Sequence, residues 1–155
     1  MVISFAGHSR IPFDAKVKIA VKEHLRHAIE ESGLVVCYLG GYGDFDSVCA
    51  SACREIKQDH GAVELVYVSP YMTPSEQAKI KLGIDMGLYD TSVYPPLENV
   101  PPKFAIIKRN EWMMTNADIV IAYVRHAFGG AYRSLTVAKA KKKRVVNIYD
   151  QLFQK

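Results

Sequence analysis

Three short stretches carry most of the chemistry open to this chain. "GHSRIP" (7–12) sets Gly7, His8, Ser9 and Arg10 side by side. "GGYGDFD" (40–46) places Gly40, Gly41 and Gly43 ahead of Asp44 and Asp46. "RHAFGGAYRS" (125–134) joins His126 to Gly129, Gly130, Arg133 and Ser134. Glycine lets a backbone approach a ligand closely and adopt positive φ. A helix that starts directly after such a loop adds unpaired N–H groups and the positive end of its dipole. Arginine and serine donate to anions, and a loop histidine does so when charged near neutral pH. These types together suit a phosphate-bearing ligand. Neither glycine pair completes a dinucleotide fingerprint or a P-loop. Asp44 and Asp46 suit magnesium held through phosphate oxygens, but helix capping accounts for both, so neither a metal nor a cofactor is expected.

The elements that position these loops follow from hydrophobic periodicity. Strands are predicted at 2–6, 34–39, 63–68, 118–124 and 144–149, and helices at 13–32, 46–60, 74–89, 103–117 and 129–143. Asp44 or Asp46 is the expected N-cap of the second helix, and "DTSVYPPLENVPP" (90–102) reads as a proline-rich surface excursion. Continuously apolar strands alternating with helices predict an α/β, Rossmann-like doubly wound parallel sheet, about five strands in the order 3-2-1-4-5, with helices on both faces. The order reverses between strands 1 and 4, and a ligand crevice is expected there at the carboxyl ends of the strands. The three stretches above all fall at that edge. Tyr42, Tyr71 and Tyr132 lie in or beside these loops, where they suit either stacking on a base or rim packing.

At 155 residues the chain predicts one domain, 1–155. Nearly half of it is apolar, yet no run is long enough to span a bilayer, and no amino-terminal stretch reads as a signal peptide. A soluble, cytoplasmic protein without a membrane partner is expected. Cys37, Cys49 and Cys53 read as buried reduced thiols. The net charge of +4 owes much to "KAKKKR" (139–144). No aromatic or arginine cluster accompanies that run, so a solvated helix end is expected and no nucleic-acid partner.

Three stretches, "FAGHSRIP", "GGYGDFDSVCA" and "RNEWMMTNADIVIAYVRHAFGGAYRSLTVAKAKKKRVVNI", resemble the SLOG superfamily. That group contains the Lonely Guy phosphoribohydrolases, the molybdenum-cofactor carriers and the YpsA-like proteins, and the third stretch looks most YpsA-like. The resemblance implies a Rossmann-like nucleotide site and a homodimer assembled through helices. Ile106, Ile107, Trp112, Met113 and Met114 supply apolar surface for that contact. It also implies a functional Arg109, matching the arginine that precedes the fourth strand in the Lonely Guy enzymes. Their second motif, Gly-Gly-x-Gly-Thr-x-x-Glu, is matched here by Gly129 and Gly130. Tyr132, Arg133 and Thr136 replace its third glycine, threonine and glutamate. That glutamate helps cleave an N-glycosidic bond, where a carboxylate stabilises charge on the ribose. The implied function is therefore binding of a nucleotide or ADP-ribose-like ligand, as sensor, carrier or sequestering protein. The alternative is a nucleoside 5′-monophosphate phosphoribohydrolase with Arg109 as its catalytic residue.

Overall fold

A computed structural model describes residues 1–154. In chain order the elements are β1 (Val2–Gly7), α1 (Ala15–Ser32), β2 (Val35–Leu39), α2 (Asp44–His60), β3 (Val63–Val68), α3 (Pro74–Asp85), β4 (Thr91–Val93), α4 (Ala105–Thr115), β5 (Ile119–Tyr123), α5 (Gly129–Ala140), β6 (Arg144–Asn147) and α6 (Ile148–Phe153). The six strands form one parallel sheet in the order β4-β3-β2-β1-β5-β6. Without β4 this is the expected order. The added edge strand lies inside the segment read as a surface excursion. Thr91, Ser92 and Val93 pair with Val66, Tyr67 and Val68. Three residues are too few for a periodicity to stand out against the prolines that follow.

The alternation of β5 shows why its run is apolar throughout. Ile119, Ile121 and Tyr123 face one core with α1, α2 and α6, while Val120, Ala122 and Val124 face another with α4 and α5. A strand covered on both faces has no polar side. In α1, the buried Val17, Ala20, Val21, Leu25 and Ala28 recur at helical spacing. Asp14 caps its start by accepting from the Lys16 N–H, and Gly33 ends it at φ 84°. At the junction of β1 and β5, the Asp118 carboxylate accepts from the Val2 N–H at 2.7 Å, and the Asp118 N–H donates to the Val2 carbonyl at 2.8 Å.

Helix α4 departs from the expected surplus of apolar surface. Met113 and Met114 are buried in the core, and Trp112 stacks on Tyr38 with ring centroids 5.4 Å apart. Of the residues assigned to a second copy, Ile106 alone is markedly exposed, at 43%. Cys37, Cys49 and Cys53 are buried and free, and burial pushes the Cys49 and Cys53 thiols up. No helix among the described residues is long and apolar enough to cross a membrane.

Gly7 ends β1 directly under α2. A Cβ there would lie 2.2 Å from the ring of the fully buried Phe45. Overpacking of this kind costs about 1–3 kcal/mol. Gly7→Ala is expected to lower the unfolding free energy by that amount, read as a lower urea midpoint at constant slope. An unchanged midpoint would show that Phe45 has room to move.

Candidate anion-binding crevice

The carboxyl ends of β2 and β3 converge on a buried cation. Arg109 of α4 is only 3% exposed. Its Nη1 donates to the Gly40 carbonyl at 3.0 Å and the Val68 carbonyl at 2.8 Å, and its Nε to Asn110 Oδ1 at 2.9 Å. Burial lowers its pKa, against the opposing pull of Tyr67, Asp46 and Glu76. Asp46 sits on the other side of the same loop. Its carboxylate accepts from the Gly40 N–H at 3.1 Å and the Gly41 N–H at 2.8 Å. Burial raises the Asp46 pKa, and those two N–H groups and Arg109 oppose the rise.

This arrangement changes the expected role of the 40–46 loop. Gly43, at φ 94°, is the N-cap of α2, not Asp44 or Asp46. The loop's N–H groups already hold an internal carboxylate, so they are not free for a ligand. Its glycines answer to packing. A Cβ on Gly41 would lie 2.6 Å from Tyr67, and one on Gly43 would lie 2.9 Å from Ser9 Cα. The Asp44 carboxylate accepts from the Ile11 N–H at 3.1 Å, and its own N–H donates to the Ser9 carbonyl at 2.9 Å. Asp44 therefore ties the first loop to α2.

The second glycine loop is different. α5 begins at Gly129, and its N-cap, Phe128, offers no side-chain cap. Gly129 takes φ 89°, and nothing lies within 4 Å of a Cβ on either Gly129 or Gly130. No side chain caps this start, and both glycines line the crevice. Ser134, one and a half turns on, is 7% exposed. It lines the crevice, and its hydroxyl has no hydrogen-bond partner among the described residues.

The crevice itself has a volume of about 500 Å³. It lies at the β1/β5 reversal, where the topology places ligands. The structure brings Gly7, His8, Ser9, Arg10, Gly40, Arg109, Gly129, Gly130 and Ser134 to its walls. Gly41, Gly43, Asp44 and Arg133 do not line it. Arg125, Asn110 and Phe128 line it too; they fall within the quoted stretches, but nothing in their type or spacing singled them out as site residues. The nearest signal was the position of Phe128 directly before the glycine pair.

Three rings stack along one wall. The His8 and His126 centroids are 4.1 Å apart at 20°, and those of His126 and Phe128 are 4.0 Å apart at 14°. His8 Nε2 accepts from the Arg125 N–H at 3.0 Å, which requires an unprotonated Nε2. Burial, then His126 and Arg125, hold its pKa below the usual 6.5.

Fold and crevice together define a Rossmann-like α/β domain with a cleft at its carboxyl edge. Solved structures of similar fold include DNA processing protein A from Helicobacter pylori (16% identity, TM-score 0.59, covering 94% of this chain). The same protein from Streptococcus pneumoniae is similar too (17% identity, TM-score 0.61, covering 92%). The chain spans 63% and 48% of the lengths of those two structures. TM1055, a structural-genomics target, shares 17% identity at a TM-score of 0.53, with 99% of this chain and 81% of that one covered. No protein-family model matches the chain, and no curated protein matches its sequence. The likeness is one of fold, in keeping with the SLOG resemblance at that level, and it does not point to the YpsA-like branch.

The Helicobacter pylori structure is described by its single-stranded DNA binding mode. That finding overturns the expectation of no nucleic-acid partner. The expectation looked for aromatic and arginine residues beside "KAKKKR". In the folded chain, such residues gather elsewhere: Arg10, Tyr42, Arg125 and Phe128 come from three separate loops to one crevice.

The stability carried by neutral His8 is present above pH 6.5 and is lost as pH falls below that value. His8→Gln retains an acceptor for the Arg125 N–H and does not titrate. Its Tm is expected to fall less than that of wild type between pH 7.5 and pH 5.5. Equal falls would show that His8 is not held neutral.

Proposed function

We propose that this chain is a binding module for a nucleotide-type phosphate ligand in the crevice, acting as a sensor, carrier or sequestering protein. The observation that carries the reading is the Ser134 hydroxyl, on a residue 7% exposed, facing the crevice without a partner beside the uncapped start of α5. That hydroxyl opens on the crevice, where a phosphate oxygen would accept from it beside the α5 N–H groups. Arg10 and Arg125 at the walls form no ion pair among the described residues and supply the balancing charge.

The hydrolase alternative has less support. Thr136, at the place of the Lonely Guy glutamate, donates its hydroxyl to the Tyr132 carbonyl at 2.9 Å. Asp46, the one carboxylate on the crevice walls, holds two backbone N–H groups. Glu111 pairs with Lys108. None of the three resembles a carboxylate poised beside a sugar. Arg109 reads better as a clamp on β2 and β3 than as a catalytic residue.

A second reading, in which the phosphate belongs to single-stranded nucleic acid, is favoured by Tyr42 and Phe128. They are 74% and 68% exposed at the walls of a basic cleft. Cationic grooves with exposed aromatics suit unpaired strands.

Calorimetry with AMP, ADP-ribose and a short oligothymidylate tests the assignment. Gly130→Asp places a negative charge where nothing crowds it, so the fold is expected to survive by circular dichroism. Loss of a charge-assisted contact of about 1.5–3 kcal/mol is expected to weaken binding by about 10- to 150-fold. Unchanged affinity would remove the α5 loop from the site. Salt dependence separates the two readings, because a site that neutralises several phosphates of a single strand shows a slope of about −0.7 per phosphate.

A further inference from the structure

The stacked rings supply a feature that phosphate recognition does not require. His8, His126 and Phe128 form a column with steps of 4.1 and 4.0 Å. It is held at both joints. The Arg125 N–H bonds His8 Nε2 at 3.0 Å, and His126 Nδ1 lies 3.1 Å from the Phe128 carbonyl oxygen. The last ring of so fixed a column would be expected to lie against something apolar. Phe128 instead is 68% exposed at the crevice wall. An aromatic face left in water, in register with two rings behind it, suits one more flat ring at a similar spacing.

The chemistry around that face narrows what it reads. Phe128 has no hydrogen-bonding group in its side chain. Its neighbours Ala127 and Gly129 have none either, and His126 is engaged within the column. The same residue is the N-cap of the twelve-residue α5, one position before the glycine pair. Ring face and anion site are thus contiguous, and the unpartnered Ser134 hydroxyl lies on the same helix.

We infer that Phe128 is a base platform, and that the crevice takes nucleoside phosphates with little choice among bases. The phosphate gives the address, and the base adds a stacking increment common to purines and pyrimidines. The inference rests on the reading of the crevice as a phosphate site, and the two fail differently.

Calorimetry would compare ribose 5-phosphate with AMP, GMP, CMP and UMP on wild type, Phe128→Ala and Phe128→Tyr. Stacking on an aromatic side chain predicts that the four nucleotides bind about 5- to 150-fold more tightly than ribose 5-phosphate. They should also lie within about tenfold of one another. Phe128→Ala should abolish that gap and leave ribose 5-phosphate affinity unchanged, while Phe128→Tyr should keep it. Phe128 is exposed, so the fold is expected to survive both substitutions, and circular dichroism checks it. Ribose 5-phosphate binding with no nucleotide advantage, or an advantage that survives Phe128→Ala, would overturn the platform while leaving the phosphate site. A preference for one base by more than about a hundredfold would overturn base indifference. Absence of binding by all five compounds would overturn the site and the platform together.

Discussion

A parallel sheet must close its carboxyl edge, because the last carbonyls of each strand have no further residue to pair with. Here one guanidinium does much of this. Arg109 reaches across from α4 and donates to carbonyls at the ends of two neighbouring strands. A cation so buried needs a counter-charge, since isolating it would cost several kcal/mol. Asp46 provides one at the start of α2, and in the same step holds the N–H groups of the loop whose carbonyl Arg109 binds. Through these backbone hydrogen bonds, Arg109 and Asp46 tie α4, the glycine loop and the start of α2 together.

That closure makes the two glycine loops unequal. At the level of sequence they look alike, each a glycine pair running into a helix. In the folded chain the first is filled by the protein's own carboxylate, and its glycines are needed where Tyr67 and Ser9 crowd the backbone. The second has no internal occupant: an uncapped helix start, open space at both glycines and a free hydroxyl behind them. A crevice with one sealed wall and one open wall has a polarity. In the proposed reading the anion sits at α5 and the rest of the ligand towards Phe128 and the first loop.

Much of this architecture is legible in the sequence. Strands such as Ile119–Tyr123 are apolar on both faces, and that property alone implies a covered parallel sheet and its reversal point. β4 is not legible, because three residues beside prolines carry no period. The site is only partly so. Gly129, Gly130 and Ser134 announce themselves by type and position. Asp46 does not, because an aspartate in the first turn looks the same whether it caps a helix or binds a preceding loop. Arg125 and Phe128 are likewise silent, since the column depends on His8 arriving from a loop over a hundred residues away. Arg109 was singled out, but its burial among strand ends is a tertiary fact.

The position of β1 has a consequence for how the chain is made. It lies at the middle of the sheet, yet one neighbour, β2, follows within about forty residues, while the other pairs Ile3 with Ile119. During synthesis the growing chain can assemble β1 to β3 with α1 and α2 long before β5 emerges. Throughout that interval β1 presents an unpaired edge and apolar side chains that the finished molecule conceals, the kind of template that recruits other chains. The same delay orders events at the ligand end. His8 waits for residues 125–128 before its ring has anything to stack upon. A ribosome-bound chain that has not yet released residues 119–128 therefore carries half a sheet and an unassembled crevice wall.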